Sequence, residues 1–508
     1  MVTKVDDETG LETKKARWVV DGSRQVQGDT YDKAFAATPS MASYKTLLAI
    51  RTQRNMETIH IDWSGAHLNS TQDYEVYVKQ PRGFEEQGKE HQVRKLVKAC
   101  YGEKQAAYLW EVCWDTFLIE ECGLEQCPFD PCTFIKCSGS FLIVCDVHAD
   151  DAPFFYDKEM EKEMIWILKK LESRFKIKVQ QRLSHHLGMR VEYGKDWTSL
   201  DQEAYCNNIL QTFQENPQER FNNPWSVDID EEFDKDCDPS DNDKFYMKSR
   251  DYWGLVGKLQ YLVNTRPDIA YSVSKLARKC SKPQVIHWNA AQRVLGYLRC
   301  TVDMKLIFTK HQSFAPKIVT NDELVSAYSD ADFAGDKETR RSTSGIVITM
   351  CGATIFASSK RQPIVADSTV AAETVALHGL VKEVMWLRNF LEWLGYPQQS
   401  PTNLWCDNTG AVRNCEEGAE RHKTKHLDIK YMFIREAVRK GLVRIRHIGT
   451  DQMVADILTK GLRRYRFEKC RKGLGLMKGS AWDDIIKPRI NQNELQSIIV
   501  THKMGHNS

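Results

Sequence analysis

Hydrophobic and polar residues in the first third of the chain alternate between short strand-like and longer helix-like patterns. Three apolar or β-branched runs predict strands, and they read KARWVVDG, TIHIDWSG and EVYVKQP. Apolar residues three and four apart predict helices over residues 104–121 and 159–174. The runs TFIKC and FLIVCDV flank residues 138–139 and predict a β-hairpin. Together these elements are typical of an α+β domain built on an antiparallel sheet.

The middle of the chain changes from an acidic segment to a helical one. Residues 228–243 read DIDEEFDKDCDPSDND, and so few apolar side chains predict a flexible linker or an exposed loop. Residues 250–310 then repeat apolar positions at helical spacing, as in YWGLVGKLQYLVNT and HWNAAQRVLGYLRC. We expect a compact helical subdomain here, between two α/β units.

A second mixed pattern follows. Three strand-like runs, AYSDADFAGD, SGIVITMCG and ATIFASS, precede a long helix with Ser368 or Thr369 as its N-cap. The apolar stripe of this helix runs from Leu377 to Leu394 in steps of three and four residues. TNLWCD, HLDIKYMFIREAVRKG, VRIRHIG and DQMVADILTKGL then predict strand, helix, strand and helix, with room for a short helix after Asn408. The order βββ-α-β-α-β-α is the layout of a ribonuclease H fold.

Four carboxylates lie where the strands and helices of this second pattern should converge. Asp330 is in the first strand, Glu373 precedes the apolar stripe by one turn, Asp407 ends TNLWCD, and Asp456 is in the last helix. Phosphodiester hydrolysis with two Mg²⁺ ions needs hard oxygen ligands from several elements, since the ions lie about 3.5–4 Å apart. Singly, each acid also fits a bland role as a helix-dipole partner, a turn former or a surface charge. The four together favour a metal site.

The same segments carry a family resemblance. AYSDADFAGDKETRRSTSGIVI, AAETVAL, LWCDN, KHLDIKYMFIRE and VADILTK resemble the ribonuclease H domain of Copia-type LTR-retrotransposon Pol polyproteins. The resemblance implies that Asp330, Glu373, Asp407 and Asp456 bind the metal ions. It also implies that the substrate is the RNA strand of an RNA–DNA hybrid. Ala371 stands where the family usually has a second Glu, and it is not a metal ligand in this interpretation.

A second set of acids lies in the first third of the chain. Alternation in METIHIDWSGAHLN places His60 and Asp62 on one face of a strand, and Asp150 and Asp151 stand together after FLIVC. Adjacent acids repel each other, so they usually face water or a cation. A strand Asp with an Asp pair is what nucleotidyl transfer by two Mg²⁺ ions requires. An exposed acidic turn is the alternative.

The motifs around these acids resemble the Copia-type reverse transcriptase domain, in the expected order. They read KARWVVDG, YDKAFA, IDWSGAHLN, EVYVKQPRGF, KACYGEKQAAYLW, DPCTFIK, LGMRVEY and TRPDIAYSV. With the ribonuclease H segments they cover nearly the whole chain. The resemblance implies that the three acids bind metal. It also implies that Lys15 and Arg17 lie near the incoming triphosphate and that Gln105 lies near the nucleotide.

We therefore expect an α+β polymerase fingers and palm domain with a helical connecting subdomain, followed by an α/β ribonuclease H-like domain. The expected bounds are 1–225 for fingers and palm, 226–315 for the acidic linker and helical thumb or connection region, 316–465 for the ribonuclease H-like domain, and 466–508 for a basic tail. The first residues match the inside of the family's finger strands, so we expect an N-terminally truncated Pol region.

The polymerase motif departs from the family pattern. The family's Tyr-Val-Asp-Asp reads HADD at residues 148–151, and Cys145 lies one residue further from the Asp pair than is usual. A one-residue slip turns side chains to the other face of a strand unless a bulge absorbs it. Pro153 removes a backbone donor from the outgoing strand, and Glu103 replaces an apolar residue in YGEKQ. A degenerate polymerase is therefore an open alternative.

Net charge does not decide the function, because its formal value is only +2. Basic residues concentrate in residues 421–447 and 463–472, where they fit either a phosphate track or a solvated helix face. No apolar run approaches the ~18–20 residues that cross a bilayer, and the start lacks a secretory signal. We expect an intracellular chain with no membrane partner, in the cytoplasm or, as the alternative, the nucleus.

Three functional hypotheses remain open at this point. The first is an RNA-directed DNA polymerase and RNA–DNA hybrid ribonuclease with two Mg²⁺ or Mn²⁺ ions in each active site. Its partners would be an RNA template, the hybrid and deoxynucleoside triphosphates. The second is a catalytically dead retroelement remnant, and the third is a nonenzymatic nucleic-acid-binding protein. The ribonuclease H acids are intact and the polymerase motif is altered, so we expect the first half to be the worn one.

Overall fold

The structure is a computed structural model that describes residues 2–5, 12–15, 18–234, 240–310, 324–416 and 425–479. It divides into two compact units. The first contains Met1–Ser43 and Met56–Leu183, and the second contains Tyr44–Asn55 and Ser184–Ser508. The boundary between the units lies before residue 225, the expected end of the first domain. Residues 190–193 pair with residues 198–201, and residues 197–200 pair with residues 306–309, so this segment belongs to the second unit.

The first unit is built mainly from strands, with two helices between them. The strands are β1 (Val2–Val5), β2 (Glu12–Lys15), β3 (Glu57–Trp63), β4 (Tyr77–Lys79), β5 (Val93–Lys95), β6 (Glu125–Gln126), β7 (Thr133–Ser138), β8 (Phe141–Asp146), β9 (Asp151–Tyr156) and β10 (Ile177–Gln180). The helices are α2 (Ala106–Thr116), continued by a π-helical turn at Phe117–Glu121, and α3 (Glu161–Arg174). The preceding helix, α1 (Met41–Arg54), contributes residues to both units.

A six-stranded antiparallel sheet in the order β10-β3-β9-β8-β7-β6 forms the centre of the first unit. Trp110 of α2 and Ile167 of α3 pack in the same core as the apolar residues of this sheet. The β7–β8 hairpin, β3 and both helices confirm the predicted elements. The strand predicted at KARWVVDG is wrong for residues 18–22, where Trp18 and Val19 are exposed, whereas Lys15 at its start belongs to β2.

The second unit contains ten strands and most of the helices that the structure describes. The helices are α4 (Glu203–Phe213), α5 (Val227–Phe233), α6 (Asp241–Lys248), α7 (Tyr252–Leu262), α8 (Ala270–Ala277), α9 (Val285–Cys300), α10 (Thr369–Trp393), α11 (Thr409–Glu416), α12 (Lys425–Arg439) and α13 (Arg464–Gly473). The strands are β11 (His185–His186), β12 (Met189–Tyr193), β13 (Trp197–Asp201), β14 (Met304–Thr309), β15 (Val325–Asp332), β16 (Thr343–Met350), β17 (Ala353–Arg361), β18 (Thr402–Cys406), β19 (Val443–His447) and β20 (Leu476–Lys478). Of the helices in the described ranges, none has the length and apolar character to span a membrane.

A mixed five-stranded sheet identifies the fold of residues 325–458. Its order is β17-β16-β15-β18-β19, in which β15, β16 and β17 are antiparallel and β18 and β19 run parallel to β15. The predicted helix is α10, with Ser368 as its N-cap and with the stripe from Leu377 to Leu394 buried. This strand order confirms the ribonuclease H-like domain that the sequence predicts.

A second antiparallel sheet, in the order β11-β12-β13-β14-β20, joins distant parts of the same unit. Its last strand lies within the predicted basic tail, where Leu476 pairs with Leu306 of β14. The tail prediction is therefore wrong as far as residue 479, since α13 and β20 are ordered elements of the unit. Residues 480–508 of the predicted tail lie outside the described residues.

The acidic segment is not an exposed loop throughout. α5 and α6 occupy most of it, and residues 235–239 lie outside the described residues. The carboxylate of Asp230 accepts hydrogen bonds from Trp225 Nε1 and from the Tyr271 hydroxyl, both at 2.8 Å. Asp234 lies 2.7 Å from the ammonium of buried Lys275. Two of the acids are thus satisfied by buried partners, which composition alone does not reveal.

The helix predicted at DQMVADILTKGL is also wrong. Two 3₁₀ turns, Thr450–Gln452 and Val454–Leu458, replace it, with Met453 extended between them. The guanidinium of Arg466 donates to the carbonyls of Thr450, Asp451 and Met453. An α-helix needs those carbonyls as acceptors for amides four residues further on. Arg466 therefore competes directly with the helix.

Candidate functional site

Asp62 and Asp151 are direct partners in the first unit. They face each other in the antiparallel pairing of β3 with β9, where the Trp63 amide donates to the Asp150 carbonyl at 2.8 Å. Cross-strand partners have Cβ atoms about 4.5–5.5 Å apart. Asp62, Asp150 and Asp151 are all half-buried. Among the described residues, however, the three carboxyls are not all within 4.8 Å of one another, so the set is looser than a closed metal site.

The Asp pair lies in a tight two-residue turn. His148 and Asp151 exchange both backbone hydrogen bonds, at 2.8 and 2.9 Å. Ala149 takes a φ of +53°, a backbone conformation that costs a residue with a Cβ about 1–2 kcal/mol. Trp110 Nε1 donates to the Ala149 carbonyl at 2.6 Å and holds the turn against α2. The HADD sequence therefore keeps a hairpin turn, at some local strain.

The one-residue slip at Cys145 is not absorbed by a bulge. Cys145 pairs with Phe154 and His148 pairs with Asp151 in one continuous register. Pro153 lies opposite His60 in β3, and the ladder between β8 and β9 ends at Cys145 and Phe154, one position before Asp146 would face Pro153 and its missing amide.

Asp146 is fully buried, and among the described residues its Oδ2 has no hydrogen-bond partner. Its nearest donor, the Thr133 hydroxyl, lies 3.5 Å from Oδ1. Burial, reinforced by the carboxylate of Asp130, raises the pKa of Asp146 well above its usual range. The sheet core therefore contains a carboxyl that is accommodated most easily in its protonated form.

The structure describes two of the three residues that the resemblance implies in substrate binding, Lys15 and Gln105. Arg17 lies outside the described residues, and Lys15 is a member of β2. Gln105 is fully buried, and its side-chain amide donates to Gln72 Oε1 at 3.2 Å and to Glu103 Oε1 at 3.3 Å. Glu103, the departure in YGEKQ, also accepts from the Gln72 amide at 2.6 Å. A nucleotide would reach Gln105 only after rearrangement of this network.

The second unit brings three of its four candidate acids together. Ligating oxygens of Asp330, Glu373 and Asp407 all lie within 4.8 Å of one another. They come from β15, from the first turns of α10 and from the end of β18, because β15 and β18 are adjacent parallel strands. Asp330 and Glu373 are only 3% and 5% exposed, whereas Asp407 is half-buried. The cluster is therefore open on one side.

Crowding of these carboxyls changes their titration. Burial, together with the charges of Asp330 and Asp407, raises the pKa of Glu373 to about 9. Burial also raises the pKa of Asp330 to about 7, and Lys460 opposes that rise. Like charges in a dry site disfavour ionisation unless a cation neutralises them. The electrostatics of the cluster therefore favour a bound cation.

Neighbouring polar groups orient two of these acids. The Thr459 hydroxyl donates to Asp330 Oδ2. The Thr450 hydroxyl donates to Asp407 Oδ2 at 3.0 Å. Both threonines belong to the C-terminal segment around DQMVADILTK. From this segment, only Asp456 was predicted as a functional residue. The hydroxyl groups of Thr450 and Thr459 near Asp456 were the only sequence feature that could have indicated that this segment orients the metal-binding acids.

Asp456 is close to the cluster but has different partners. Lys460 Nζ lies 2.9 Å from Asp456 Oδ1 and 3.8 Å from Asp330 Oδ2. Arg466 donates to Asp456 Oδ2 from Nη2 at 2.8 Å and from Nε at 3.2 Å. Two side-chain cations therefore neutralise this acid, which is only 2% exposed. The local sequence pattern around Lys460 and Arg466 indicates no role for either cation.

Comparisons with known proteins cover most of the chain. Residues 1–224 match the family described as reverse transcriptase (RNA-dependent DNA polymerase). The Pol polyprotein of transposon TNT 1-94 from Nicotiana tabacum is 33% identical over 479 residues, which are 93% of this chain and 35% of that protein. The chain belongs to the Copia-type retrotransposon Pol polyproteins. Another member, from transposon RE2 of Arabidopsis thaliana, is 30% identical over 94% of this chain and 31% of its own length.

This Copia-type Pol chain spans about a third of the length of the curated relatives it matches. A solved structure, LC11-RNase H1 isolated from compost, covers 27% of the chain and 91% of its own length at 23% identity and a TM-score of 0.21. The fold assignment rests on the strand order of β15 to β19 and not on that similarity.

The donor set of the Copia-type Pol chain fits a divalent cation. Asp330, Glu373 and Asp407 offer only carboxylate oxygens, the ligands that Mg²⁺ and Mn²⁺ prefer. Two of the three are buried, and burial together with the charges of neighbouring carboxylates raises their pKa values. These three residues would hold the ion.

Proposed function

We propose that the second unit is a divalent-metal-dependent ribonuclease that cleaves the RNA strand of an RNA–DNA hybrid. The observation that carries the proposal is the convergence of Asp330, Glu373 and Asp407 within 4.8 Å on a ribonuclease H-like sheet. Mg²⁺ or Mn²⁺ would stabilise charge at the scissile phosphate and lower the pKa of a bound water. We propose further that two such ions take part.

The chain's own residues would position the ion and the phosphate. The Ala331 amide donates to the Glu373 carboxylate, and the Thr459 and Thr450 hydroxyls fix Asp330 and Asp407. Such contacts remove rotamer freedom from ligands that must keep one geometry. The half-exposed Asp407 leaves the open side by which a polynucleotide strand would approach.

The test is cleavage of a labelled RNA strand paired with DNA, in Mg²⁺ and in Mn²⁺. We expect Asp330→Asn and Glu373→Gln to reduce the rate at least about a hundredfold, as loss of a required charged group does. Glu392→Gln is the matched control, because Glu392 is exposed on the same helix and about 28 Å further along it by helical rise. A wild-type chain that leaves the hybrid intact in both metals would contradict the proposal and favour a catalytically dead remnant.

A second candidate function belongs to the first unit. We propose RNA-directed DNA polymerisation from an RNA template and deoxynucleoside triphosphates, supported by the cross-strand pairing of Asp62 with Asp151. Primer extension on RNA, compared between wild type and Asp151→Asn, tests it. Extension that is absent in wild type and appears when residues 148–149 are changed to Tyr-Val would identify a worn polymerase.

Nonenzymatic binding is the remaining alternative. It predicts that Asp330→Asn and Asp407→Asn bind the hybrid as wild type does, with affinity that falls steeply as salt rises. The same filter-binding or anisotropy titration, run beside the cleavage assay, separates a binder from a nuclease.

A further inference from the structure

The fourth acid of the ribonuclease H-like unit is not free to join the other three. Asp456 is 2% exposed and contacts Lys460 through Oδ1 and Arg466 through Oδ2. The three-acid cluster that the structure brings within 4.8 Å excludes it. Both cations follow Asp456 in the chain, four and ten residues later.

Lys460 bridges two acids that come from different elements, a strand and a 3₁₀ turn. Its ammonium is 2.9 Å from Asp456 and 3.8 Å from Asp330, while Asp330 also belongs to the three-acid cluster. A positive charge between two buried carboxylates occupies the same kind of position that a divalent ion takes in an acidic site. The ammonium and an ion at that position would exclude each other.

The residues on both sides of Lys460 are held in place. The preceding residue, Thr459, donates its hydroxyl to Asp330, and the amide of the following residue, Gly461, donates to Asp230 Oδ2 at 3.1 Å. A Cβ at position 461 would lie 2.8 Å from the Ser226 carbonyl oxygen, so only glycine fits this path. The backbone therefore brings Lys460 to the site along a fixed path, although its side chain stays 40% exposed.

Arg466 fixes Asp456 on the other side. It contacts both the Asp456 carboxylate and the Met453 carbonyl, the latter at 2.6 Å, so one guanidinium holds the carboxylate and the backbone three residues before it. Moving Asp456 toward Glu373 and Asp407 would break these charge-assisted hydrogen bonds, each of which is stronger than a neutral one.

The net charge of the site fits a single divalent ion. Four carboxylates and two side-chain cations leave two negative charges, which one divalent ion balances. A second ion would leave the site with excess positive charge unless Lys460 moved away.

We propose that Lys460 is the resident cation of this site, so that the free protein takes one divalent ion, at Asp330, Glu373 and Asp407, in place of two. This inference rests on the proposed function for the metal cluster, and it concerns occupancy rather than cleavage. Lys460 is accordingly a positioning residue, and any second ion must displace it or arrive with substrate.

Mn²⁺ binding to the full chain, followed by the loss of the free-ion EPR signal, tests the proposal. Asp62→Asn and Asp151→Asn are included throughout, so that ions held by the first unit are not counted. We expect one Mn²⁺ in this parent protein and a second in Lys460→Met, bound at least about tenfold more tightly than any second ion in the parent. Lys460→Arg should keep one, and so should Lys472→Met, a control at an exposed lysine of α13.

Equal stoichiometry in the parent and Lys460→Met would overturn the inference, as would two ions or none in the parent. Circular dichroism of each variant checks that the unit is folded. Hybrid cleavage is measured separately: a chain that cleaves but shows no change at Lys460 contradicts only this inference. A chain with the stoichiometry change but no cleavage contradicts only the proposed function.

Discussion

Asp62 of β3 lies directly opposite Asp151 of β9, with the Trp63 amide bonded to the Asp150 carbonyl beside them. Two acids 89 residues apart in the sequence are thus neighbours because the sheet orders β9 next to β3. The turn that presents Asp150 and Asp151 is strained, because Ala149 within it has a positive φ.

Ala149→Gly should raise the free energy of unfolding of the chain by about 1 kcal/mol, because glycine adopts the +53° φ of this turn without a Cβ clash. Urea denaturation measures the change. Ala152→Gly is the control, since Ala152 is buried in β9 outside the turn and should lose stability. If both substitutions destabilise the chain equally, the turn is not strained.

Asp146→Asn should change how stability depends on pH. The folded-state pKa of Asp146 is raised, so its contribution to stability is complete below the unfolded-state value near 3.8 and is lost as pH rises through the folded-state pKa. The variant should therefore gain stability over wild type at about 1.4 kcal/mol per pH unit across that window. Denaturation at pH 4 to 8 measures this difference.

The matched control for that series is Asp21→Asn. Asp21 is exposed and its pKa is lowered, chiefly by the hydrogen bond from the Ser23 hydroxyl. Its variant should show no gain over wild type as pH rises. A flat difference for Asp146→Asn would mean that its carboxyl is solvated in the folded chain.

Arg466→Met should cost about 3–5 kcal/mol and abolish hybrid cleavage, because it leaves Asp456 buried with one partner and frees three carbonyls of the same segment. Thermal or urea unfolding gives the stability, and the cleavage assay gives the activity. Arg464→Met is the control, since the exposed pair of Arg464 with Glu468 should contribute less than about 0.5 kcal/mol. Equal losses in the two variants would count against a special role for Arg466.

Gly345→Ala should displace the segment that carries Asp456. Gly345 lies opposite Asp330 in β16, and a Cβ there would be 2.7 Å from Thr459 Cγ2 and 2.9 Å from the Ala455 carbonyl oxygen. Overpacking of this kind costs about 1–3 kcal/mol, and cleavage should fall with it. In Gly257→Ala the new methyl group of α7 meets nothing within 4 Å, so a gain of about 0.5–1 kcal/mol is expected. Unchanged cleavage in Gly345→Ala would show that the segment tolerates the shift.

Elements with a long, regular pattern could be predicted from the sequence. The stripe of α10, the three strands before it and the β7–β8 hairpin each repeat one period over many residues, and each appears as expected. The convergence of Asp330, Glu373 and Asp407 could be predicted from the same patterns, because their positions in the strands and the helix determine where their side chains lie.

The remainder depends on long-range partners that no local pattern contains. Arg466 converts a predicted helix into two 3₁₀ turns by taking its carbonyls, and Asp230 anchors a segment that composition assigns to solvent. Lys460 looks like an ordinary lysine after DILT in the sequence. Only the folded path through Thr459 and Gly461 brings its ammonium between two acids.

The pairing of β20 with β14 has a consequence for biosynthesis. Leu476 completes a sheet whose preceding strand, at Met304–Thr309, leaves the ribosome about 170 codons earlier. Until then that strand has an unpaired edge, which is a template for pairing with other nascent chains. A stop codon just upstream of residue 476 would spare every candidate metal ligand and still yield a product prone to aggregate.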